Sequence, residues 1–193
     1  MNRSFFVALA VVVAATACRQ PKKNNTQEQK PGAEIFPVTN FIEGQVHLVD
    51  SFQLPTLKYT TINNRTDSSL ISLDEFRQLA RDFFQPDIND PEISKAYKET
   101  SFADQSIKGV TFTYSTDDKD LEIQRVDVVV TPSPVMSDKV RSIYMEKQRV
   151  SGDTAVFKKL YWRADKNFQV ITTRQVGEQP PFVSVMKVEW DRD

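Results

Sequence analysis

The chain has 193 residues, 39% of them hydrophobic, with 25 basic and 26 acidic side chains, one histidine and one cysteine. The single cysteine excludes an internal disulfide, so the fold must rest on a buried apolar core. One histidine and no second thiol argue against zinc and copper sites, and a formal charge of −1 without a dense basic run argues against nucleic acid as a partner.

The N-terminus reads as an export signal: Met1-Asn2-Arg3-Ser4 is a short positive start, and Phe5 to Ala15 is an unbroken apolar run. That run is too short to cross a hydrocarbon layer, which needs about 20 residues, so it predicts a cleaved segment over 1–17 rather than a membrane span. Ala15-Thr16-Ala17-Cys18 resembles the lipobox of bacterial lipoproteins, with Ala15 where that pattern usually has leucine. The resemblance implies a diacylglycerol on Cys18, cleavage ahead of it, and attachment to a membrane through acyl chains.

Residues 18–33 predict a flexible polar tether. Arg19, Lys22, Lys23 and Lys30 against Glu28 give it a charge of +3, whereas 34–193 hold 20 basic and 25 acidic side chains, or −5. Such a tether is drawn to anionic headgroups. Surface lipoproteins of the Bacteroidota tend to carry acidic residues soon after the cysteine. Here Arg19 to Lys23 are basic, and that comparison implies an outer-membrane lipoprotein facing the periplasm.

Residues 34–193 predict one α+β domain: an antiparallel meander of about six or more strands with one or two amphipathic helices on one face. Ile42 to Val49 and Leu57 to Ile62 read as strands, Asn63 to Asp67 as a turn, and Ser68 to Ile71 as a brief strand. Ser72 and Glu75 form a capping box, and Leu73, Phe76, Leu79, Ala80, Phe83 and Phe84 recur at helical spacing until Pro86. Asp90 then predicts the N-cap of a shorter helix, with Pro91 at its first position and Ile93, Ala96 and Tyr97 turned inward.

From Val110 the pattern becomes strands separated by turns. Val110 to Thr116 alternates, Asp117 to Asp120 turns, and Leu121 to Thr131 shifts phase in a way that predicts a β-bulge near Gln124 or Arg125. Lys139 to Val150 and Thr154 to Arg163 flank the hairpin turn Ser151-Gly152-Asp153, and Phe168 to Val176 and Phe182 to Trp190 complete the series. Asp153-Thr154-Ala155 resembles the O-glycosylation pattern of the Bacteroidota.

Chemistry is sparse. Asp87-Ile88-Asn89-Asp90 and Asp117 to Asp120 lack the glycine and distal glutamate of a calcium loop and read as turns and caps, and His47 stands alone. No nucleophile elbow or phosphate-cradling glycine loop is present. Tyr161 and Trp162 are the expected ligand-facing candidates: adjacent strand residues point to opposite faces, so one belongs under the helix and the other on a face free to meet an apolar ligand or an envelope protein. The expectation is a non-enzymatic binding or assembly lipoprotein without a cofactor or metal. In architecture it resembles the carrier and assembly lipoproteins of the LolA/LolB type. The alternative is an envelope hydrolase with a dispersed carboxylate site.

Overall fold

The computed structural model describes residues 35–104, 109–133 and 138–190, together with the backbone of Gln27–Glu28. Cys18 and the export segment lie outside the described residues. In chain order the elements are β1 (Gln27–Glu28), α1 (Val38–Ser51), β2 (Thr56–Ile62), β3 (Arg65–Ile71) and α2 (Leu73–Ala80), which a 3-10 turn, Arg81–Phe83, prolongs. There follow α3 (Pro91–Ser94), β4 (Lys98–Asp104), β5 (Gly109–Ser115), β6 (Ile123–Thr131), β7 (Lys139–Ser151), β8 (Thr154–Arg163), β9 (Asn167–Val176) and β10 (Phe182–Glu189). The class is α+β.

The strands form one antiparallel sheet in the order β1-β4-β5-β6-β7-β8-β9-β10-β2-β3. From β4 to β10 the chain is a meander, in which each strand pairs with the one made just before it, as short connections favour. The hairpin of β2 and β3, made early, adds to the far side of β10. Its turn is tighter than Asn63 to Asp67: Asn63 and Asn64 alone occupy it, at φ 49° and 62°, and Arg65 already pairs with Ile62. Two successive positive φ values are what a two-residue hairpin with the right twist requires, and Asn tolerates them.

Register explains the core. Val128, Ile143, Trp162, Phe168 and Val188 stand opposite one another across five strands. Beside them runs a second row, Val126, Met145, Leu160, Val170 and Met186. Aromatic rings fill the layer above: Phe76 of α2 lies 5.2 Å from Trp190 and 5.8 Å from Phe168, and Phe83 lies 5.1 Å from Trp162, which stacks on Phe168. Such ring pairs contribute about 0.5–1.5 kcal/mol each beyond the area they bury.

Several expectations hold. Ser72 Oγ accepts from the Glu75 N–H at 3.2 Å, Asp90 caps α3 through the Glu92 N–H at 2.8 Å, and the register of β6 against β7 shifts between Ile123 and Arg125. Gly152, at φ 59°, takes the positive-φ position of the β7–β8 hairpin. Two expectations need correction. Ile42 to Val49 is not a strand but the middle of α1, whose buried Val38, Ile42, Gln45 and Val49 recur every three or four residues. Pro37 in the cap position offers no side-chain acceptor, so the usual start signal is missing. α3 ends at Ser94 instead of running through Ala96 and Tyr97, and the chain enters β4, a strand absent from the sequence pattern. Tyr97 does turn inward, donating its hydroxyl to the Ile123 carbonyl at 2.6 Å.

Candidate functional site: a cationic cleft at the end of the core-facing series

Side chains on one face of a strand recur every second residue. Along β7 the core-facing series is Ile143, Met145, Lys147 and Arg149. The residues opposite on β8 are Trp162, Leu160, Lys158 and Val156. Toward the β7–β8 hairpin the series thus turns from apolar to cationic while keeping its direction. Lys147 stands opposite Lys158, a pairing that like charges disfavour. Partners from other elements compensate. Asp82 of the 3-10 turn meets Lys158 Nζ at 2.7 Å, and the Gln85 carbonyl, three residues on, accepts from Lys147 Nζ at 2.6 Å. Glu122, before β6, pairs with Arg149, and its Oε1 lies 3.9 Å from Lys147 Nζ.

These groups line a cleft of about 540 Å³, to which Arg81 and Pro86 also contribute. Four cations (Arg81, Lys147, Arg149, Lys158) against two carboxylates (Asp82, Glu122) give the lining a charge of +2, in a domain region whose sequence carries −5. Lys147 forms the floor, with a side chain only 2% exposed. Burial drives its pKa down from 10.5 to about 8. Glu122 and Asp82 oppose that shift, and the positive Lys158 and Arg149 reinforce it. The arrangement can hold an anion: a buried ammonium offers three N–H donors, and among the described residues only one has a protein acceptor within hydrogen-bond distance. A second cleft, about 420 Å³, lies at the other end of β7 and β8 among Lys139, Arg141, Arg163 and Asp165.

The consecutive aromatics separate. Trp162 is fully buried, its indole N–H without a hydrogen-bond partner among the described residues, and no ligand reaches it without unpacking Phe83, Phe168 and Trp190. Tyr161 is 41% exposed on the opposite face, in a row with Tyr144, Gln169, Lys187 and Tyr59. Neither lines the cationic cleft. His47 lies on α1, with Nε2 3.3 Å from Ser51 Oγ. Asp87 Oδ1 receives the Asn89 N–H at 2.8 Å, and Asp118 Oδ1 receives the Asp120 N–H at 2.9 Å, both turn roles. Among the described residues no group of three or more His, Cys, Asp or Glu is placed to hold a metal ion, and no helix is long and apolar enough to cross a membrane. Sequence reading missed Lys147, Arg149 and Lys158. The available signal was their parity: each continues an inward-facing apolar series next to a hairpin.

Compared with protein-family models, curated proteins and solved structures, the chain matches none. The reading of the cleft therefore rests on its own chemistry.

Proposed function

We propose that this protein is an envelope lipoprotein with a non-enzymatic binding role, anchored through a lipid on Cys18, facing the periplasm from the outer membrane, and holding its ligand in the Lys147 cleft. The observation that carries the binding role is the burial of an ammonium with two donors that no acceptor among the described residues matches, at the floor of an accessible cleft. Folding gains nothing from that arrangement by itself, because burying a charge with incomplete pairing is costly. A ligand that supplies acceptors explains its presence.

We also read both main helices as lying on the Trp162 face of the sheet. The ring contacts of Phe76 with Phe168 and Trp190 support this for α2, and the Gln45 amide, which donates to Asp165 Oδ1 at 3.1 Å, supports it for α1. Of the aromatic pair, only Tyr161 is then placed to meet an apolar ligand or an envelope protein. The hydrolase alternative draws on one observation, that Asp82 and Glu122 line the same cleft. Each is already engaged by a cation, Lys158 or Arg149, so the lining offers no unpaired carboxylate to that reading. Binding is the better reading.

The test is to purify the detergent-solubilised chain from its own envelope and compare copurifying small molecules between the wild type and Lys147→Met. A species retained by the wild type and lost from the variant is the expected result. Identical sets would reject the cleft as the binding site.

A further inference from the structure

We propose that the Lys147 cleft, taken as the binding site argued above, receives a phosphate group borne on an organic substituent, with Lys147 as the floor donor and Arg81 as the rim cation.

Three observations converge on that class. The first is hydrogen bonding: the Gln85 carbonyl takes one Lys147 N–H at 2.6 Å, and the Glu122 carboxylate at 3.9 Å is too far to take another. Buried donors without acceptors are rare, and a phosphate brings several strong acceptor oxygens to one point. The second is charge. Asp82 is paired with Lys158 and Glu122 with Arg149, so Lys147 and Arg81 are the cations left over, and Arg81 makes no ion pair among the described residues. Two positive charges match a phosphate monoester, which carries about −1.5 to −2 near neutral pH, better than they match a monocarboxylate. Arginine also presents its donors in a fork suited to phosphate oxygens. The third is size. A cleft of about 540 Å³ lies in the range of organic ligand sites, roughly 300–1,000 Å³, and Pro86 and Val156 give it apolar lining for a carbon substituent.

The proposal also implies proton uptake. Burial holds Lys147 down to about 8, and a bound anion raises it again, so affinity should fall as pH passes above that value. The charged groups facing Lys147 are Glu122 from the segment before β6, Asp82 from the 3-10 turn, Lys158 from β8 and Arg149 from its own strand.

A phosphatidic acid headgroup and a soluble phosphate monoester share this chemistry. The experiment is native mass spectrometry of the full-length chain in a nonionic detergent, with glycerol 3-phosphate or phosphatidic acid, both phosphate monoesters, added in separate arms and acetate as the anionic control. One phosphate-bearing adduct is expected on the wild type, weakened at least tenfold in Lys147→Met and severalfold in Arg81→Ala, with no comparable acetate adduct. An adduct with phosphatidic acid alone assigns the lipid source, and one with glycerol 3-phosphate alone assigns the soluble source. Absence of both adducts, or an adduct undiminished in Lys147→Met, overturns the proposal. Should that variant not fold, NMR titration of the wild-type Lys147 ammonium decides: its midpoint rises with the phosphate compound that binds, and an unchanged midpoint overturns the assignment. A copurifying ligand that Lys147→Met loses but that bears no phosphate would reject this assignment and leave the binding role of the cleft intact.

Discussion

Lys147 burdens the fold when no anion is bound, and the burden has a pH signature. Its ammonium titrates at about 8, whereas an unfolded lysine keeps its proton to about 10.4. Between those values the unfolded chain binds more protons than the native one, so stability rises with pH. At about 1.4 kcal/mol for each pH unit the relief approaches about 3 kcal/mol by pH 10. Tyr97 and Tyr114, pushed up to about 12 chiefly by burial, act the other way: above pH 10 unfolded tyrosines ionise first, and stability falls. The urea midpoint of the wild type should therefore climb between pH 8 and 10, and that of Lys147→Met should stay flat over the same interval. A climb that persists in the variant would place its origin elsewhere. In the sequence, Lys147 looks no different from Lys159, which faces the other side of β8. What separates them is register, set by the Gly152 turn and by the bulge at Gln124, whose side-chain amide donates to the Asp118 and Leu121 carbonyls at 2.9 and 2.7 Å. The bulge was legible in the sequence; its consequence for Lys147, which four elements separate from Asp82 along the chain, was not.

Among the elements, α2 carries the clearest local instructions and α1 the weakest. Ser72 satisfies the Glu75 N–H, while the Glu75 carboxylate crosses to Lys58 of β2 rather than closing back on the cap. Ser72→Ala should then remove one of the helix's N-terminal bonds without disturbing the bond to β2, costing about 1 kcal/mol. A lower urea midpoint with an unchanged slope is the expected reading, and no change would mean that Ser72 Oγ contributes nothing to the cap. α1 lacks such a cap, carries Gly44 in its interior, and is rich in β-branched residues, all of which point away from a helix. Its stability comes from burial of Val38, Ile42 and Val49, with both polar ends of the Gln45 amide bonded to Asp165, contacts that exist only once the sheet is made. β4 was hidden for the converse reason. Lys98 to Asp104 shows no apolar alternation and is held by backbone pairing along β5. The strands from β5 to β10 were legible because each turns alternate residues into the core.

For the whole molecule, the proposed lipid attachment is the reading with the widest consequence. Cys18→Ser should abolish incorporation of labelled fatty acid and release the chain from the membrane fraction, and wild-type labelling of the variant would reject the lipoprotein reading. A chain attached as proposed would meet its own copies on a crowded surface, and that would give meaning to the way the sheet ends. Among the described residues it does not close into a barrel, and β3 is its last strand beyond β2. The row of Leu160, Val170 and Met186 continues through Thr60 to Asp67, so a carboxylate stands where the next apolar residue would fall. Arg65 and Ser69 flank it on the same side of an exposed strand. Inward-pointing charge is one of the ways by which natural sheets keep a bare edge from templating another strand. Another copy adding itself to β3 would have to desolvate Asp67 against its own apolar row, so the polar edge works against growth of the sheet from one chain into the next.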